Sequence, residues 1–74
     1  MVCTVQFTWD SEAKVWFATS DDVPGFALEH DSLDRLCERV LIALSDFLSD
    51  DIAKDTEVTF NYRIIRTDRL VCSG

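Results

Sequence analysis

Between Val2 and Trp9 apolar and polar residues alternate: Cys3, Val5, Phe7 and Trp9 point one way, and Thr4, Gln6 and Thr8 the other. A period of two marks a strand with one buried face, so this stretch predicts a first strand. Asp10-Ser11-Glu12-Ala13 follow as a polar turn, short enough for a hairpin. Lys14 to Thr19 read as the second strand, with Val15 and Phe17 on one face and Trp16 and Ala18 on the other. The acidic stretch Asp21-Asp22-Val23-Pro24-Gly25 predicts a turn, because Pro24 fixes φ and Gly25 tolerates a positive one. Phe26 to His30 make a short third strand, which completes an antiparallel meander.

The period then changes from two to 3.6. Leu33, Leu36, Cys37, Val40, Leu41, Leu44, Phe47 and Leu48 recur at spacings of three and four and fill one stripe of a helix. Asp34, Arg35, Glu38, Arg39, Ser45 and Asp46 lie outside that stripe. Ser32 suits the N-cap, and Asp34 sits where the helix dipole favours an anion. Ile42 stands among the charges, opposite Leu33, as a lone apolar residue on the polar side. Asp50 to Asp55 read as a loop, and a last strand runs from about Thr56 to Arg66. In it Val58, Phe60, Tyr62 and Ile64 alternate against Thr59, Asn61 and Arg63.

The order is therefore β-β-β-α-β in a single domain spanning residues 1–74. The connection through the helix is long enough to cross the sheet. This predicts an α+β fold with strand order 3-2-1-4, the last strand parallel to the first and the helix on one face. Nothing in the chain remains to cover the other face, which this reading gives Trp16 and Ile65. A homodimer packed on that face is one expectation.

Size and charge narrow the partners. A chain of 74 residues buries only about 60% of its unfolded surface, so its stability is marginal or shared with a partner. The net charge is −7, with 14 acidic residues against 7 basic ones, the wrong balance for displacing counterions from nucleic acid. A basic protein partner suits it electrostatically, although solubility alone would account for the acidity. Arg63, Arg66 and Arg69 form the one basic cluster, too small for a nucleic-acid footprint. No apolar run approaches the ~20 residues that span a bilayer, and the start has neither a basic nor an apolar signal region. A cytoplasmic protein with no membrane role is expected.

Candidate chemistry is sparse. Three cysteines, Cys3, Cys37 and Cys72, fit neither a disulfide framework nor a paired zinc motif and read as reduced thiols. His30 has no cysteine cluster beside it. The strand order matches the first part of a ribonuclease H fold, whose chemistry needs acids converging on two metal ions about 4 Å apart. Here the first strand offers only Thr4, Gln6 and Thr8 outside its apolar face, the last offers Asn61, and Asp10 and Glu38 do not converge. One histidine and no nucleophile elbow leave serine or cysteine catalysis without support. No catalytic residue, cofactor or metal site is expected.

Thr8-Trp9-Asp10, Glu12-Ala13, Val15-Trp16-Phe17-Ala18, Asp21-Asp22-Val23-Pro24-Gly25 and Ser32-Leu33-Asp34-Arg35-Leu36 follow one another as in the HicB-like antitoxin superfamily. Over residues 2–66 the chain resembles a short stand-alone branch of that superfamily. The resemblance implies a partial ribonuclease H-like fold without nuclease activity, and a role in binding a small basic RNA-cleaving toxin as half of a bacterial toxin–antitoxin pair. Relatives usually carry a C-terminal DNA-binding domain as well; here the sequence stops at Gly74, so no such module is expected. On this reading the contact falls on Trp16, Asp21, Asp22, Pro24, Gly25 and Phe26, with Trp16 as an aromatic anchor and the acidic turn beside it. The alternative is a solitary dimeric interaction or scaffold protein with no toxin partner.

Overall fold

A computed structural model describes residues 1–48 and 56–72. Its elements are β1 (Val2–Asp10), β2 (Val15–Thr19), β3 (Ala27–His30), α1 (Leu33–Leu48) and β4 (Thr59–Ile65). The sheet runs β3-β2-β1-β4, with β1 antiparallel to β2, β2 antiparallel to β3, and β1 parallel to β4. The α+β class, the strand order and the parallel closing strand thus agree with the sequence pattern. The expected loop over Asp50 to Asp55 lies outside the described residues, as does the Asp50-Asp51 pair.

Local chemistry explains each boundary. The Asp10 carboxylate accepts the backbone N–H groups of Glu12 (2.9 Å) and Ala13 (3.2 Å), while the Lys14 N–H donates to the Asp10 carbonyl at 2.8 Å. Lys14 takes φ 59°, so it belongs to this turn and β2 begins one residue later than the sequence pattern suggests. The Phe26 N–H donates to the Val23 carbonyl at 3.2 Å, and Gly25 has φ 82°. Pro at the second position and a positive-φ Gly at the third describe a type II turn. At the head of α1 the Ser32 hydroxyl accepts the Arg35 N–H at 3.3 Å, which confirms the N-cap.

One face of the sheet builds the core. Cys3, Val5, Phe7, Trp16, Ala18, Val23 and Phe26 bury against Leu36, Val40, Leu44 and Leu48 of the helix. Here the structure corrects the sequence reading. The register sets Trp9 opposite Trp16 and Phe7 opposite Ala18, which puts Trp16 and Ala18 on the helix side with Phe7. The open face keeps Ile65 and exchanges Trp16 for Val15 and Phe17, which pair with Asp10 and Thr8. Trp16 is aimed inward because Thr19 pairs with Gln6, a register set by the four-residue loop 11–14.

The helix crosses β3 and β2 and leaves β4 largely uncovered. This is the second correction. Phe60, Tyr62 and Ile64 do alternate onto the helix side, yet Tyr62 and Ile64 stay 38% and 58% exposed. Leu41 and Phe47, both assigned to the buried stripe, are half exposed, whereas Ile42 is exposed as its position predicts.

Candidate functional site

A polar cleft of about 160 Å³ opens on the face away from the helix. Thr4, Gln6, Thr19, Ser20, Asp21, Asp22 and Arg63 line it. Three elements meet there. β1 and β4 bring Thr4, Gln6 and Arg63 to one side through their parallel register, and the acidic turn after β2 closes the end.

The turn is tied to the sheet by a small network. β2 pairs with β1 only from Gln6 onward, so the Thr4 backbone needs other partners on that side. The Ser20 hydroxyl donates to the Thr4 carbonyl at 2.6 Å, and the Thr4 N–H donates to Asp22 Oδ2 at 2.8 Å. The Asp22 N–H in turn donates to Ser20 Oγ at 3.2 Å, and Cys3 Sγ lies 3.6 Å from the same oxygen. Asp22 thus acts first as a surrogate strand, completing the edge of β1. Asp21 is exposed and has no such duty.

The six predicted contact residues separate into two sets. Asp21, Asp22, Pro24 and Gly25 are exposed around the turn, and the two aspartates line the cleft. Trp16 and Phe26 are buried, 7% and 4% exposed, and belong to the core. Trp16 is turned into the core by its strand register and Phe26 by its packing, ring edge to ring, 5.7 Å from Phe47, so neither ring is presented at the surface. Sequence reasoning missed Thr4, Gln6, Thr19, Ser20 and Arg63. The alternation of the strands held the only clue, since all but Ser20 lie on the face opposite Phe7.

Three titratable groups away from the cleft are set by capping or burial. His30 Nδ1 accepts the Ser32 N–H at 2.9 Å and lies 2.9 Å from Asp31 Oδ1, so His30 braces the entry to the helix. Cys37 has its thiol pKa raised, chiefly by burial and then by the charge of Asp34; burial also leads the rise at Tyr62. Both groups hold their protons more tightly folded than unfolded. Their contribution to stability is constant below the ordinary thiol value of about 8.5 and declines as pH climbs through that value and the phenol range near 10. Thiol titration with an aromatic disulfide reagent at pH 8 is expected to modify exposed Cys72 first, then Cys37, and buried Cys3 only on unfolding. Equal rates for Cys72 and Cys37 would contradict this order. Among the described residues no group of three or more His, Cys, Asp or Glu could hold a metal ion, and no helix is long and apolar enough to cross a membrane.

A family model described as a domain of unknown function (DUF1902) matches residues 2–72. Among solved structures, the hypothetical protein TTHA1013 from the extremely thermophilic bacterium Thermus thermophilus is similar, with 35% identity and a TM-score of 0.67. The match covers 97% of this chain and 100% of that one. Among curated proteins no relative matches the chain.

Proposed function

We propose, from the premise that this chain belongs to the DUF1902 family, that it is a non-catalytic binding module that holds a small basic protein in the manner of a HicB-like antitoxin. On this reading the four-stranded sheet and its single helix are a partial ribonuclease H-like fold turned from catalysis to binding, in the bacterial cytoplasm. The observation that carries it is the cleft at the acidic turn: exposed carboxylate and backbone groups at the rim of an uncovered sheet face, on a body of net charge −7. Such a surface attracts lysine and arginine side chains and steers a basic partner into contact. The sequence order from Trp9 to Leu36 supports the HicB-like reading in the same direction.

The reading predicts that a small basic protein is encoded beside this chain, and the test is co-expression of the two, followed by affinity capture at low and high salt. A complex is expected, together with rescue of growth from that protein's toxicity. Asp21→Lys is expected to slow association by about three- to tenfold, an effect that shrinks as salt screens the charge. Asp22 is unsuited to this experiment because its carboxylate also holds Thr4. No complex at low salt, or unrelieved toxicity, would refute the reading; so would magnesium- or manganese-dependent RNA cleavage by the purified chain.

A further inference from the structure

Residues 66–72 run past the last paired residue of β4, and every one of them is exposed. Leu70 and Val71 are 86% and 89% exposed, the most exposed large apolar side chains among the described residues. The molecule accordingly measures 61 Å along its longest axis against 20 and 19 Å across. Nine-residue β1 accounts for only about 30 Å of that length. This arm is aimed, because its root is clamped. The Arg66 guanidinium lies 4.8 Å from the Trp9 ring centroid and 6.0 Å from that of Trp16, and its Nε donates to Asp68 at 3.0 Å.

Beside the arm lies the surface that the helix leaves bare. β4 is an edge strand with one side of its backbone unpaired, and Tyr62 and Ile64 are exposed apolar side chains along it. Open edges of this kind take up an added strand. Charge selects the occupant. Residues 59–72 carry three arginines against one aspartate, a surplus of two positive charges. Residues 1–58 carry four basic side chains against thirteen acidic ones, a deficit of nine. The arm's own share of this is Arg66 and Arg69 against Asp68, so in a self-pairing each Asp68 can be set against an arginine of the other copy.

We infer that residues 66–72 form an exchange arm, which pairs antiparallel with β4 of a second copy of this chain and joins the two sheets across a two-fold axis. The chemistry favours one register. With Thr67 on the axis, Leu70 falls beside Ile64 of the other copy and Asp68 beside its Arg66. Strand alternation places all four of these positions on the helix side, as Ile64 already is through its pairing with Phe7. Each arm then covers exposed apolar side chains of the other copy, so the contact closes on itself and does not propagate. The paired segments are shorter than the ~20–30 residues a side of a standard interface, so the dimer depends on concentration. This inference is independent of the acidic cleft, which lies on the opposite face.

Sedimentation velocity of the full chain from low to high micromolar concentration is the first test, and a monomer–dimer equilibrium is expected. Leu70→Asp and Val71→Asp alter residues with almost no folded contacts, so far-ultraviolet circular dichroism should be unchanged. The dimer dissociation constant should rise about tenfold or more for Leu70→Asp, the order expected for the loss of a buried anchor. Thr67→Cys in a Cys37→Ser, Cys72→Ser background should form a covalent dimer on mild oxidation, whereas Ser11→Cys in the same background should not. A monomer at every concentration overturns the inference. So does a dimer indifferent to Leu70→Asp, or an arm that captures a different protein while the chain stays monomeric.

Discussion

Phe7→Ala is expected to lower the unfolding free energy by about 3–5 kcal/mol, the usual cost of emptying a buried aromatic site. Phe7 is fully buried at the centre of β1, which has β2 on one side and β4 on the other. Its ring meets Tyr62 at 5.3 Å in an edge-to-face arrangement, which adds to the area it buries. Ala18 sits opposite it on β2 and is too small to fill the space a shortened side chain would leave. A domain of 74 residues holds only about 4–11 kcal/mol in total. The substitution therefore removes a large share, and the urea midpoint should fall steeply with little change in slope. Phe7→Leu, which keeps most of the volume, should cost less than half as much. A loss below about 1 kcal/mol for Phe7→Ala would mean that β1 is not the centre of this core.

The strong contribution of β1 was legible because its alternation is unbroken and its apolar residues from Cys3 to Trp9 share a face. Ser32 and the Pro24-Gly25 turn were legible for a related reason: each carries a local hydrogen bond or a φ that few residues supply. The strand order followed from the length of the helical connection. What failed was the depth of burial away from β1. β4 alternates as regularly as β1, yet Tyr62 and Ile64 remain exposed, since alternation states which face a residue takes but not whether anything covers that face. Covering depends on where the helix axis falls, and that is decided by packing on β2 and β3, which no local pattern records.

The acidic turn shows the same division. Asp21 and Asp22 look equivalent in the sequence, and both reach the cleft. They differ because β2 ends before it can pair with Thr4, so one carboxylate is recruited to finish the strand edge and the other is left to the solvent. Asp22 is thereby a structural residue inside a candidate contact surface. Its neighbour keeps the freedom to meet a partner.

Trp16→Ala should also cost about 3–5 kcal/mol, and the reason separates a core residue from a surface anchor. Trp16 stacks at a tilt on Trp9 with ring centroids 5.2 Å apart, is almost wholly buried, and offers Arg66 its second aromatic face. Removing it empties a large site between β2 and the helix and leaves the guanidinium over a single ring. An exposed anchor would behave differently: its truncation would spare the fold and abolish binding. Urea unfolding followed by far-ultraviolet circular dichroism makes the distinction without relying on tryptophan emission. Trp16→Phe, which restores an aromatic ring, should recover more than half of the loss. If Trp16→Ala instead unfolded at the parental urea concentration while losing a protein partner, the side chain would have to face outward, and the register that pairs Trp9 with Trp16 would be wrong.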